Sequence, residues 1–168
     1  ADFSGMGYDL RTTEKNIQLY NQLSGRAGRF SSKSTIIYQT ATPLNETLRD
    51  VLENDPEKFL NNELIIRKNK NLPPYSRLIA LIISANSSQD SFRAAQEIKK
   101  KLNTISQLDV LGPVDSPIFK VKKKYRTRLL LRSKSTSLIQ KRVGKILDNL
   151  TISKKIKLTV DVDPINFA

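Results

Sequence analysis

At 168 residues the chain is long enough for one ordinary domain, or for a small domain with part of another. Its 38% hydrophobic and 27% charged residues fall into patterned stretches, which excludes a disordered chain; with neither cysteine nor histidine, disulfides and thiolate metal sites are excluded too. The formal charge of +13 is unevenly placed, because residues 1–76 carry 10 Lys/Arg against 9 Asp/Glu while residues 77–168 carry 19 against 7.

A basic half of this kind is expected to meet a polyanion, with nucleic acid favoured over a merely solvated surface. The longest apolar run, LIALII at 78–83, is too short to cross a bilayer, so no membrane association is expected. No signal segment opens the chain and its only methionine is Met6, so a fragment of a longer cytoplasmic protein is expected.

Taken in chain order, Thr13 predicts a helix cap, with Ile17, Leu19, Tyr20 and Leu23 as the apolar side. STIIYQT at 34–40 predicts a short strand from its branched and aromatic residues. Asn45 predicts the cap of a second helix through Leu48, Val51 and Leu52. Asp55-Pro56 predicts the start of a third, with Phe59, Leu60, Leu64 and Ile65 as its buried stripe. NLPPY at 71–75 cannot continue a helix and predicts an extended connector.

Beyond the connector the pattern is cleaner. Leu78–Ser84 reads as a strand. Ser87 or Ser88 then caps a helix with Phe92, Ala95, Ile98, Leu102 and Ile105 inward. DVLGPVDSPIFKV at 109–121 is a strand region interrupted by Gly112-Pro113 and Pro117, KVKKK at 120–124 turns the chain, and Tyr125–Arg132 returns it. Ile139, Val143, Ile146 and Leu150 mark another helix, and Ile156, Leu158, Val160 and Val162 alternate with polar residues as a last strand. The order β-α-β-β-α-β predicts an α+β, ferredoxin-like antiparallel sheet with two helices on one face.

Two stretches carry candidate chemistry. Residues 22–29 read QLSGRAGR, in which Arg26 and Arg29 lie three apart and share one side of a helical turn. A guanidinium pairs with phosphate through a planar fork and keeps its charge at any physiological pH. A bare pair at this spacing is usually just exposed. Residues 120–128, KVKKKYRTR, place six basic residues in nine. On the strand that follows the turn, Lys124, Arg126, Arg128 and Arg132 alternate with Tyr125, Thr127, Leu129 and Leu131, so one face can pack while the other meets phosphates. Tyr125 is either a core tyrosine or a platform for a stacked base. Lys99, Lys100 and Lys101, with Lys141, Arg142 and Lys145, are either solvated helix faces or further DNA contacts. Asp161 and Asp163 in VDVDP read better as strand-end polarity, or as partners for basic neighbours, than as a metal-binding pair.

The string Q-x-x-G-R-x-G-R resembles motif VI of the superfamily 2 helicases. Together with LGPVDSPIFKVKKKYRTRLLLRS, the PPY connector and VDVDP, it resembles the C-terminal portion of the PriA family (primosomal protein N′) over essentially the whole chain. The resemblance implies a remnant of a RecA-like helicase lobe over 1–43, a helical connector over 44–76 and a basic, ribosomal-protein-like α+β DNA-binding domain over 77–168. It implies that Gln22, Gly25, Arg26, Gly28 and Arg29 face a nucleotide, with Arg26 or Arg29 as the arginine finger, and that Asp9, Arg11 and Glu14 frame that helix. The basic stretch read above makes Lys120, Lys122, Lys123, Lys124, Tyr125, Arg126, Arg128 and Arg132 the expected nucleic-acid contacts. ATP and magnesium are expected only in the intact 3′→5′ helicase, and zinc only in an upstream region, since this chain has no phosphate loop, no acidic Mg²⁺ motif and no cysteine. The implied partners are single-stranded and forked DNA, single-strand-binding protein, other primosome proteins and the upstream helicase region. The alternatives are a stand-alone RNA- or single-strand-binding module without enzymatic activity, and the inactive product of a split gene.

Overall fold

The computed structural model describes residues 11–27, 35–42, 46–53, 55–134 and 138–165. The chain divides into two units, 1–65 and 66–168. Among the described residues there are helices α1 (Thr12–Ala27), α2 (Glu46–Glu53), α3 (Pro56–Asn69), α4 (Ser88–Leu102) and α5 (Leu138–Asp148), and strands β1 (Arg77–Ala85), β2 (Asp109–Val121), β3 (Lys124–Ser133) and β4 (Lys157–Val162). None of these helices is long and apolar enough to cross a membrane.

Among its described residues the N-terminal unit holds α1, α2 and most of α3. Arg11 pairs with Glu14 at 2.8 Å at the entry to α1. Of the expected apolar side, Tyr20 is buried, while Leu19 and Leu23 are 38% and 47% exposed. The Tyr38 ring stands edge-on to Tyr20 at 5.4 Å, and its hydroxyl donates to the Tyr20 carbonyl. Residues 35–40 form no strand, because β-rich residues become a strand only when a ladder partner takes up their backbone groups. Asp55 caps α3 as expected, accepting from the Lys58 N–H at 3.0 Å. Phe59 is buried on that helix, whereas Leu60, Leu64 and Ile65 stand exposed.

The C-terminal unit is a four-stranded antiparallel sheet in the order β2-β3-β1-β4, the twice-split βαβ arrangement expected from the element order. Ser87 caps α4 by accepting from the Asp90 N–H at 3.1 Å. The core lies on the helical side of the sheet, where Ile79, Leu81, Ile83, Leu129 and Leu131 meet Ala94, Ala95, Ile98, Leu102 and Val143. Leu81, Leu129 and Leu102 are fully buried, each contributing about 1.5–3 kcal/mol by leaving water. Ser91, not Phe92, faces this core: its hydroxyl pairs with that of Thr127 at 2.8 Å, so a polar pair is satisfied inside, and Phe92 remains 40% exposed.

Strand β4 lies at a sheet edge and is covered only in part. Ile156 and Leu158 pack beside the core, but Val160 and Val162 remain 45% and 49% exposed, against the burial that their alternation predicts. The connector is fastened to the opposite end of the sheet from the hairpin. Arg132 donates to the Lys70 carbonyl at 3.1 Å, and Ser76 donates to the Asn71 carbonyl at 2.7 Å.

Candidate nucleic-acid interface

Residues directly opposite in an antiparallel ladder point to the same face, so the register fixes what the face away from the helices carries. Ser84 of β1 pairs with Arg126 of β3 and with Lys157 of β4, giving a row Lys157–Ser84–Arg126 across three strands. The next row is Thr159–Ile82–Arg128, about 6.6 Å further along the strands. Strand alternation adds Lys124, one step nearer the hairpin turn, to the same face. Four cationic side chains thus converge on the hairpin half of this face.

The other half is different. Asp161 and Leu130 flank Ala80, and Arg132 flanks Leu78. Leu78 and Ala80 are buried, whereas Ile82 and Ser84 are only half-buried, so the face opens toward the hairpin. Two ion pairs lie at this end of the sheet. Arg132 donates from Nε and Nη2 to Asp109 at 3.1 and 2.9 Å, and Arg77 meets Asp163 at 2.7 Å. A cavity of about 430 Å³ lies at this end, lined by Asn71, Gln107, Asp109, Arg132, Ser133 and Lys134. Its arginine is engaged in holding β2 and the connector to β3.

Arg128 sits where the face is deepest, 7% exposed. Burial pushes its guanidinium down from the ordinary arginine value, and Arg126 alongside adds to the push. An anion beside the two arginines would favour their charged form and so act against both causes. Arg126 is half-buried, while Lys124 and Lys157 are exposed.

At the turn, Val121 pairs with Lys124, leaving Lys122 and Lys123 as a two-residue loop. Both have positive φ, 48° and 63°, the combination of a type I′ turn that favours Asn-Gly. Lysine in this backbone region is strained by about 1 kcal/mol. The double substitution Lys122→Asn/Lys123→Gly is therefore expected to raise the unfolding temperature by roughly 4–8 °C. It should also flatten the salt dependence of polyanion binding by up to about 1.4 in the log–log slope. Thermal melts and salt-titrated binding check the two halves separately.

The remaining expected residues are placed as follows. Lys120 and Tyr125 face each other across the hairpin, on the side of the sheet opposite Arg126. Lys99 donates to the Gly112 carbonyl and so ties α4 to β2. Lys100, Lys101, Lys141, Arg142 and Lys145 lie at the surface of their helices. Asp163 has a basic partner in Arg77, and no cluster that could hold a metal ion occurs among the described residues. On α1, Gln22, Gly25 and Arg26 are exposed, with Gln22 and Arg26 one turn apart near the helix end. A Cβ at Gly25 would meet nothing within 4 Å. Gly28 and Arg29 lie outside the described residues, as does Asp9.

Two placements in this unit escape a reading of the sequence. Lys157 looks like one polar residue of an alternating edge strand, and only the register puts it in a row with Arg126. Phe119 looks like a strand residue and emerges as exposed through a shift in that register.

Residues 68–165 match the family described as the primosomal protein N C-terminal domain. The chain is 32% identical over 167 residues to replication restart protein PriA of Rickettsia conorii, covering 99% of this chain and 26% of that protein. It is 31% identical over 165 residues to PriA of Borreliella burgdorferi, covering 96% and 25%. It is 30% identical over 161 residues to PriA of Bacillus subtilis, covering 93% and 20%. The chain thus spans a fifth to a quarter of the length of these relatives. It belongs to the PriA family, of which it is a C-terminal portion.

Proposed function

We propose that this chain works in replication restart as the DNA-holding end of a helicase, and that its C-terminal unit grips single-stranded and forked DNA along the hairpin half of the open sheet face. The observation that carries the reading is the convergence of Lys157, Arg126 and Lys124 at the surface of one sheet face, over the buried Arg128, with the Arg132–Asp109 ion pair at the far end. Phosphates are the natural ligands of such a row, because each one neutralised releases condensed counterions. The relatives' name, replication restart protein, points the same way.

In the same reading the N-terminal unit contributes to an ATP site completed by the upstream helicase region. Gln22 and Arg26 are offered in the open on one side of α1, as donors to a nucleotide bound elsewhere would be. Arg29, three residues further on, joins them as the second candidate finger. The exposed Leu19, Leu23, Leu60, Leu64 and Ile65 fit burial against a missing lobe. The residues present fit the arginine side of such a site and not its phosphate cradle or its magnesium ligands. ATP and magnesium would be held mainly by the upstream region. Single-strand-binding protein and other primosome proteins are the further proposed partners of the intact helicase.

Fluorescence anisotropy of the full chain with oligo(dT) and with forked oligonucleotides tests the DNA reading. Over roughly 50–300 mM salt the affinity is expected to fall with a log–log slope of about −4 for the single strand. Binding that ignores salt, or a preference for structured RNA over the fork, would overturn it.

A further inference from the structure

We propose that the outer part of the β2–β3 hairpin is a second contact, a stacking site for an unpaired nucleobase built on Phe119, on the side of the sheet opposite Arg126. It rests on the nucleic-acid reading above and deepens it, because it selects unpaired bases and not phosphate charge alone.

The site arises from a register shift. Asp115 pairs with Thr127, and the next pair is Lys120 with Tyr125, so β2 advances five residues while β3 advances two. The surplus leaves the ladder as a bulge, and such bulges re-aim side chains. Ser116 turns inward and is buried, while Ile118 and Phe119 are 48% and 39% exposed. A large apolar side chain on an edge strand invites unwanted pairing and is usually avoided there.

The aromatic geometry points to Phe119 and not to Tyr125 as the platform. Lys120 places Nζ 4.6 Å above the Tyr125 ring centre and also donates to its hydroxyl at 3.2 Å. Tyr125 therefore already holds a cation, and it braces Phe119 edge-on, with ring centres 5.3 Å apart and planes at 69°. Of the two rings Phe119 is the more exposed, at 39%, while Tyr125 is half-buried. Lys120, Lys122, Lys123 and Lys124 lie within a few residues and are all exposed. An exposed apolar ring on a hairpin rich in lysine suits a ligand that is planar, apolar on its faces and joined to anions. A nucleotide of a single strand has that chemistry. Paired bases hide their faces in the helical stack, so duplex offers nothing for Phe119 to cover.

The test compares oligo(dT) with an abasic strand of the same length, which keeps the phosphates and removes the bases. The full chain is expected to bind oligo(dT) at least about fivefold more tightly than the abasic strand. Phe119→Ala should erase that difference and leave abasic affinity unchanged. Phe119→Trp should restore it. Because the chain contains no tryptophan, the emission of that variant reports the site directly, quenched by oligo(dT) and unmoved by the abasic strand. Retained base preference in Phe119→Ala, or an emission from Phe119→Trp indifferent to bases, overturns the site. Equal binding of both strands by the unaltered chain overturns the stacking site alone. Failure to bind either strand overturns the nucleic-acid reading beneath it.

Discussion

Gly112→Ala is expected to destabilise the C-terminal unit by about 2–4 kcal/mol, read as a fall of roughly 10 °C or more in the unfolding temperature. Two independent causes add. Gly112 has φ of +96°, which a side chain strains whatever space surrounds it. An added Cβ would also stand 2.8 Å from the Arg128 carbonyl oxygen and 3.2 Å from the Val114 nitrogen, and both of those are backbone atoms that cannot swing away. The effect should reach the interface, because the carbonyl that must shift belongs to Arg128. Gly144→Ala is the control: nothing lies within 4 Å of its Cβ, and it sits within α5. That change should be neutral or stabilising by up to about 1 kcal/mol.

Neutralising Lys124, Arg126, Arg128 and Lys157 together, each to Gln, should weaken single-strand binding at about 0.1 M salt by about a hundredfold or more. The log–log salt slope should fall by about 2.8, or about 0.7 for each phosphate that the chain no longer neutralises. The fold should survive. Lys124 and Lys157 are exposed and Arg126 is half-buried, and a thermal melt of the variant checks that the fold is kept. A matched variant at the other end, Arg77→Gln with Lys134→Gln, should leave the slope unchanged. Arg77 is there paired with Asp163, and Lys134 lines the cavity beside the Arg132–Asp109 pair.

Much of the C-terminal unit is legible in its residues. The Ser87 cap, the three- and four-residue spacing of Ala95, Ile98 and Leu102, and the apolar alternation of β3 each have a local physical cause, and each leads to the element found. What is not legible depends on pairing. Phe119 is exposed because five residues of β2 face two of β3, and no local preference announces such a surplus. Lys157 joins the basic row only through the register of β4 on β1. Ser91 and Thr127 enter the core because each satisfies the other, so a template of apolar residues chooses Phe92 instead.

The N-terminal unit is less legible for a related reason. STIIYQT has the composition of a strand, but residues 35–40 have no ladder. Leu60, Leu64 and Ile65 have the spacing of a buried stripe and remain in water. Composition states what a segment can bury or pair, and the partner decides whether it does. Arg132 shows the converse. Its alternation with Leu131 suggests a phosphate contact, yet its guanidinium is held by Asp109, 23 residues away in the chain, and by the Lys70 carbonyl.

The central claim is that DNA lies on the hairpin half of the open sheet face. Backbone amide chemical-shift mapping of the isotope-labelled full chain during titration with oligo(dT) tests it most directly. The largest shifts are predicted at Ser84, Arg126, Arg128 and Lys157, with Arg77, Asp109 and Asp163 nearly still. Shifts centred on the Arg132–Asp109 end, or spread evenly over the surface, would contradict it.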